Sequence, residues 1–117
     1  MSDDGPREWR FYLSDMIEFA ERTLKYTNGI GRTGFAPNEM VYDAALRNLE
    51  LIGEAATRIP AEIRSIYPDI PWRMVIATRN RLIHGYLGID DDTLWSIIQD
   101  EVPKILPLLN ALWKETL

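Results

Sequence analysis

The chain lacks several features that mark large classes of protein. It contains no cysteine, which excludes disulfides and thiolate chemistry and is typical of a reducing cytoplasm. No stretch approaches the ~20 consecutive apolar residues of a membrane span. The first residues also lack the basic start and apolar run of a signal peptide. We therefore expect a cytoplasmic protein with no membrane segment, and nothing in the composition indicates a cofactor.

A surplus of basic residues is absent as well. Thirteen Lys and Arg residues stand against eighteen Asp and Glu residues, and the formal net charge is -5. Because proteins that bind nucleic acid usually carry a basic surplus, this balance counts against such a role unless the arginines converge on one cleft. An acidic chain also suits a basic protein partner, and composition does not choose between the two.

The apolar content is sufficient for one well-packed domain. Hydrophobic residues make up 46% of the 117 residues, so we expect a single domain over 1–117, with 1–6 frayed. Apolar residues recur at spacings of three and four, and no strand pattern is found. These spacings predict an all-α antiparallel bundle of four main helices with an additional short helix. The main helices are expected from Arg7 to about Asn28, from about Pro37 to Ile59, from about Pro71 to Ile83, and from about Asp90 onward.

Four details refine this prediction. Residues 28–36 contain three glycines and are expected to form a loop. Gly53 lies inside a predicted helix, where glycine costs ~1 kcal/mol against alanine, so close approach of another helix is the expected reason. Asp90, followed by two further aspartates, is placed to cap the last helix. Pro103 and Pro107 are expected to kink or divide that helix.

The single histidine lies in the segment RNRLIHGY, which runs from Arg79 to Tyr86. Histidine gives or takes a proton near neutral pH, and the planar fork of arginine suits phosphate oxygens. His84 follows Arg79 by five residues and precedes Tyr86 by two. A proton-transfer group beside a phosphate-binding cation is what phosphodiester cleavage needs if no metal is used. The segment therefore favours a ribonuclease.

Helical geometry leaves two ways for these groups to meet. In a regular helix His84 points about 140° away from Arg79. Either Gly85 lets the helix end unwind and turns His84 toward Arg79, or the two side chains meet across a twofold interface. Since the face that carries Arg79 is otherwise apolar, its guanidinium must reach a cleft, an interface or a carboxylate.

Each residue also has a purely structural interpretation. His84 could cap a helix end, and Tyr86 could be an aromatic at the edge of the core. Arg79 could pair with Glu50, Glu54 or an aspartate. Glu50 and Glu54 could also hold a metal ion with His84, but pairing with arginines is the favoured interpretation.

The wider pattern resembles a known family. The segments RNLELIGEAA (47–56), YPDIPW (67–72) and RNRLIHGY (79–86), followed by Asp90, occur in the order found in HepT-like proteins of the HEPN superfamily. The resemblance extends from about Tyr12 to Leu112.

The resemblance implies a fold and a function. Such proteins are all-helical dimers, and their signature residues from two protomers line a cleft. They are metal-independent endoribonucleases that act on cellular RNA, including tRNA, as toxins of type VII-like toxin–antitoxin pairs. The implied partners are a second copy, the RNA substrate, and an MntA-like nucleotidyltransferase antitoxin that silences the toxin by transferring AMP to Tyr86.

We expect the following roles for the signature residues and their neighbours. His84 acts as general base or general acid, and Arg79 stabilises charge on the phosphoryl oxygens. Asn80 orients His84 or the phosphate. Arg81 and Arg73 supply phosphate contacts at the rim, or are solvated surface charges. The competing hypothesis is a non-catalytic helical dimer that serves as binding partner and modification substrate of a nucleotidyltransferase.

Overall fold

The computed structural model describes residues 5–84 and 89–116, with the backbone alone for residues 5–7. Every regular element in these ranges is helical. The helices are α1 (Gly5–Thr27), α2 (Arg32–Phe35), α3 (Glu39–Thr57), α4 (Ala61–Ile66), α5 (Trp72–Ile83), α6 (Asp91–Ser96) and α7 (Val102–Glu115). A π-helical turn, Ile97–Glu101, joins α6 to α7 without a break, so the two form one long element. The predicted all-α bundle of four main helices is confirmed.

The main helices pack in antiparallel pairs. Arg10, near the start of α1, lies over the ring of Trp113 near the end of α7, with its Cζ 3.9 Å from the ring centroid. At the other side of α1, the guanidinium of Arg58, just after α3, lies 5.8 Å from the ring centroid of Tyr12. The end of each neighbouring helix thus meets the start of α1. Helix α3 in turn packs against α5.

The core is continuous and apolar. It includes side chains from every main helix, which are Leu13, Met16, Ile52, Ala56, Val75, Leu94, Ile98, Val102, Leu109 and Leu112. Buried hydroxyls are satisfied inside their own helices, since Thr23, Thr27 and Thr78 each donate to the carbonyl four residues back. None of the described helices is both long and apolar enough to cross a bilayer.

Two boundary predictions need correction. Helix α1 begins at Gly5, two residues before the predicted start, so part of the expected frayed segment is helical. The expected loop 28–36 contains α2. The cause is Phe35, which is 1% exposed and packs its ring against those of Tyr42 and Trp95, with centroids 5.3 Å and 5.0 Å apart. Burial of this aromatic outweighs the preference of the surrounding glycines for irregular backbone.

The two prolines of the last helix behave differently from one another. Pro103 occupies the second position of α7, directly after the π-helical turn, so the irregularity in this long element coincides with the proline. Helix α7 continues through Pro107, so this proline does not divide the helix, and the alternative that it kinks the helix stays a prediction. Pro107 is exposed, and the carbonyl that it leaves without a partner, four residues earlier, is also on an exposed residue and can meet water.

The π-helical turn allows buried side chains that are four residues apart to face the core on one side of the helix. Leu94, Ile98 and Val102 are at most 1% exposed and are spaced four residues apart. A regular α-helix would rotate such positions by about 40° at each step, whereas a turn closed by i to i-5 bonding has more residues per turn. The N–H of Val102 donates to the carbonyl of Ile97, as this geometry requires.

Of the three aspartates at the start of α6, Asp90 forms the predicted cap, whereas Asp91 and Asp92 contact residues of other helices. Asp90 is the N-cap, and its carboxylate accepts from the backbone N–H of Thr93 at 2.8 Å. This backbone bond, reinforced by the Thr93 hydroxyl, lowers the pKa of Asp90. Asp91 accepts a hydrogen bond from the Tyr42 hydroxyl at 3.0 Å, and Asp92 pairs with Arg32. Burial, followed by the bond to Asp91, raises the pKa of Tyr42.

Candidate active site around Arg79 and His84

Helix α5 carries most of the signature and is fixed at its start. Pro71 precedes its first residue, and the indole N–H of Trp72 donates to the carbonyl of Tyr67 at 3.1 Å. The buried face consists of Trp72, Val75 and Thr78. This helix matches the predicted span from Pro71 to Ile83. The part of the signature from Arg79 to Ile83 therefore lies on a helix that is packed against the core.

The guanidinium of Arg79 is held by two neighbours. Its Nη2 lies 2.5 Å from a carboxylate oxygen of Glu54 on α3, and its Nη1 donates to the side-chain oxygen of Asn80 at 2.7 Å. Its Nε is buried and has no acceptor among the described residues. Of the five N–H groups of a guanidinium, two on the Nη atoms are left to contact a ligand. Arg79 thus reaches a carboxylate, as its position on an apolar face requires.

The Arg79–Glu54 pair orients the guanidinium more than it stabilises the fold. The side chains are 27% and 42% exposed, and pairs with this degree of exposure contribute at most ~1 kcal/mol. Glu54 has a second cation nearby, because Nη2 of Arg58 lies 3.7 Å from its other oxygen. Glu50 pairs instead with Arg47. The two glutamates pair with arginines, as the favoured interpretation expected, and do not form a metal site with His84.

Gly53 makes this arrangement possible. A β-carbon added to Gly53 would lie 2.1 Å from the β-carbon of Arg79 and 3.0 Å from the carbonyl oxygen of Val75. Such distances are far inside van der Waals contact, so α3 and α5 can approach only where the side chain is missing. The predicted reason for a mid-helix glycine, close approach of another helix, is confirmed.

His84 closes α5. It is the C-cap residue, with φ -81° and ψ 0°, and its side chain is exposed. Its backbone N–H donates to the carbonyl of Asn80 at 3.3 Å, so the chain is still helical where it enters His84. Unwinding ahead of His84 that would turn it toward Arg79 is not seen in the described part of α5. The β-carbons of the two residues are therefore separated by about 140° around the helix axis.

The remaining signature residues fall on different surfaces. Arg73, Asn80 and His84 recur at spacings of seven and four, which places them along one exposed stripe of α5. Arg73 and Asn80 line an open groove between α4 and α5. Arg81 lines a separate groove that α5 forms with α6. The structure thus brings Arg73 and Asn80 together and places Arg81 elsewhere. Tyr86 lies outside the described residues.

One residue of this surface was not singled out from the sequence. Arg64, near the end of α4, lines the same groove as Arg73. Its place in the sequence carries no signal, because α4 is a short exposed helix and its apposition to α5 is a tertiary feature. Among the described residues, no group of three or more His, Cys, Asp or Glu side chains is arranged to hold a metal ion.

The described part of the chain is an all-helical bundle that presents an arginine and a histidine five residues apart at the end of α5. The sequence comparisons are more specific. Residues 16–112 match the model of the family described as Ribonuclease HepT-like. The chain therefore belongs to the HepT-like ribonuclease family, and the resemblance noted in the sequence is confirmed.

Named relatives support this assignment. A protein of Methanocaldococcus jannaschii, named "Putative RNase MJ1380", is 39% identical over 85% of this chain and 91% of its own length. "Probable ribonuclease HepT" of Thermococcus cleftensis is 34% identical over 85% of this chain and 90% of its own length. "Putative RNase TTE0752" of Caldanaerobacter subterraneus is 31% identical over 82% of this chain and 86% of its own length. No solved structure shows a significant match.

Proposed function

We propose that this protein is an endoribonuclease that cleaves cellular RNA without a metal ion, as the toxin of a toxin–antitoxin pair. The main support for the proposal is the way in which the side chain of Arg79 is held. Its guanidinium is fixed by Glu54 and Asn80 yet keeps two N–H donors, on the helix that ends in an exposed histidine. A preorganised cation of this kind stabilises charge that develops on a phosphate. Membership of a ribonuclease family supports the same conclusion.

The reaction follows from these groups. The ribose 2′-oxygen attacks the adjacent phosphorus, and the bond from phosphorus to the 5′-oxygen breaks. His84 takes the proton of the 2′-hydroxyl, or gives a proton to the leaving 5′-oxygen. Arg79 contacts the phosphoryl oxygens, and the side-chain nitrogen of Asn80 donates to the same phosphate or to His84. The products are a 2′,3′-cyclic phosphate and a 5′-hydroxyl.

The active form in this proposal is a homodimer. The helical backbone up to His84 separates the β-carbons of His84 and Arg79 around α5, and this separation supports a site to which two copies contribute. A second copy related by a twofold axis can supply the missing group, because an isologous interface places each signature beside the other. Ile83 is 51% exposed next to His84, which suits an apolar contact at such an interface.

Regulation by a nucleotidyltransferase belongs to the same proposal. An MntA-like antitoxin would transfer AMP from a nucleoside triphosphate to the hydroxyl of Tyr86, with release of pyrophosphate. Tyr86 follows His84 by two residues. An anionic phosphate there would occupy the place of the RNA backbone in front of Arg79 and repel the substrate.

Cleavage by purified protein in the presence of EDTA tests the nuclease. We expect 2′,3′-cyclic phosphate ends, and a loss of about 100-fold or more in His84→Ala and Arg79→Ala. Arg47→Ala is the matched control, because Arg47 is exposed and pairs with Glu50 on its own helix. Wild-type cleavage by a folded His84→Ala variant would refute the mechanism. Mass spectrometry after incubation with the antitoxin and ATP checks the addition of AMP to Tyr86.

The net charge of -5 favours a second candidate, the non-catalytic dimer that binds a nucleotidyltransferase and accepts its AMP group. This candidate predicts a tight complex and modification of Tyr86, with no RNA cleavage even after the modification has been removed. The same cleavage assay therefore separates the two functions.

A further inference from the structure

The arginines of this acidic protein differ in their partners. Five of them lie within 4 Å of a carboxylate, namely Arg22, Arg32, Arg47, Arg58 and Arg79. Arg10 has no carboxylate partner among the described residues but donates to the carbonyl of Trp113 and the hydroxyl of Thr116. Among the described residues, Arg64 and Arg73 have no carboxylate within 4 Å. Both line the groove between α4 and α5. Two unneutralised guanidinium groups therefore share one concave surface.

The groove is open and combines apolar with cationic side chains. Its volume is about 530 Å³, within the range of small-molecule sites. Trp72 and Ile76 provide an apolar floor, while Arg64, Arg73 and Asn80 provide polar groups. No acidic side chain lines it among the described residues. The Nε of Arg64 is buried without an acceptor among those residues, so its guanidinium lies partly within the surface rather than extended into solvent.

The groove is continuous with the signature. Asn80 lines it and also accepts the hydrogen bond from Arg79. Arg73, Asn80 and His84 follow one stripe of α5, which extends for about 16 Å along the helix axis. A strand that lies along this stripe covers more than one nucleotide and brings its end to His84. The floor is rigid, because Trp72 is 7% exposed and bonded to the carbonyl of Tyr67.

From this placement we propose that the α4–α5 groove binds the ribose-phosphate backbone of single-stranded RNA next to the cleaved link, with Arg64 and Arg73 each contacting a phosphate. The inference rests on the proposed ribonuclease function and adds a subsite to it. Contacts to phosphate fix the position of the strand without reading its bases. An acidic protein can hold RNA in this way where two cations that no carboxylate neutralises line the same groove.

The test compares two double variants with the same change in net charge. One is Arg64→Ala with Arg73→Ala, and the control is Arg22→Ala with Arg47→Ala, which removes two exposed arginines on α1 and α3. The probe is a fluorescent 2′-O-methyl oligonucleotide, which cannot be cleaved through its 2′-oxygen, so binding is measured independently of activity. Circular dichroism and thermal melting check that both proteins fold.

We expect the groove variant to bind the probe about tenfold more weakly, and the slope of log K against log salt to fall by about 0.7 for each lost cation. The control should change less than twofold. On cleavable RNA the groove variant should raise KM and leave kcat unchanged, and a dinucleotide should be cut equally well by both variants.

Several results would overturn the subsite. If both double variants lost RNA affinity equally, the loss would be explained by net charge and not by the groove. Unchanged RNA affinity, together with a shift in sedimentation, would assign the groove to an interface between copies of the chain. Failure of the proposed function has a different signature, since it leaves wild-type protein unable to cut any RNA, whatever the probe affinity of the groove variant.

Discussion

Gly53 on α3 and Arg79 on α5 touch with no space between them for a methyl group. The contact sets the separation of the two helices at the point where the guanidinium of Arg79 turns toward Glu54. The geometry of the candidate active site therefore depends on the absence of a side chain one residue away from the carboxylate that holds the arginine.

Substitution Gly53→Ala should lower both stability and activity. Alanine gains ~1 kcal/mol in helix propensity, but overpacking at this site costs about 1–3 kcal/mol. We expect the free energy of unfolding to fall by up to about 2 kcal/mol in urea titrations. Cleavage should fall further than stability explains, since α5 must move. Gly34→Ala is the control, because its added carbon meets only the side-chain methyl of Ile30. A rise in stability of about 1 kcal/mol in Gly53→Ala, as helix propensity alone would give, would contradict the close approach of α3 and α5.

Replacing Glu54 should separate catalysis from binding. Glu54→Gln keeps the shape of the side chain but removes the charge that anchors Arg79. Because the guanidinium is then less firmly oriented but also less neutralised, we expect kcat to fall about tenfold with KM unchanged or lower. Steady-state kinetics on a fluorogenic RNA measures both constants. Glu50→Gln, one turn earlier and paired with Arg47, should leave them unaltered. A rise in KM at constant kcat would show that Glu54 does not position the arginine.

Lysine should not replace arginine at position 79. The two Nη atoms of Arg79 contact Glu54 and Asn80 separately, and a single ammonium group cannot reproduce that fork. We expect Arg79→Lys to reduce kcat/KM by at least about tenfold although the charge is retained. Arg47→Lys, which changes an exposed arginine in the same way, should have no effect. Equal activity of Arg79→Lys and wild type would mean that only the charge matters.

The cap of α6 should give stability a defined pH dependence. The pKa of Asp90 is lowered in the folded state, chiefly by the backbone N–H of Thr93. The folded state therefore prefers the ionised carboxylate, so its contribution is present above the ordinary pKa of Asp and is lost as pH falls through the lowered value. We expect Asp90→Ala to melt earlier than wild type at pH 7, with a smaller difference near pH 3. Asp90→Asn, which keeps the acceptor but cannot ionise, should remove this pH dependence. A constant difference across that range would exclude the cap as its source.

The main helices, and the close approach of another helix at Gly53, could be predicted from the sequence by local rules. Helix α5 has a proline at its start and a clear apolar stripe, so its span follows from local rules. A glycine inside α3 indicates close packing, because nothing else justifies its cost. The sequence alone does not say which helix approaches, and Arg79 as the contacting residue emerges only from the fold.

The predictions that failed depend on the tertiary environment of a residue, which local sequence preference does not include. Helix α2 forms among glycines because Phe35 is buried against two rings from other helices. Helix α7 passes through Pro107 because that side of the helix faces solvent. Arg64 lines the same groove as Arg73 because the fold places α4 beside that groove, which no spacing in the sequence encodes.

Glu54 lies between two cations, Arg79 at 2.5 Å and Arg58 at 3.7 Å. When a phosphate contacts the two remaining N–H groups of Arg79, the phosphate and the carboxylate of Glu54 share one guanidinium, and Arg58 offsets part of the added negative charge. Under the proposed function, Arg58→Ala should therefore weaken the binding of phosphate at Arg79, although the described carboxylate partner of Arg58 is Glu54.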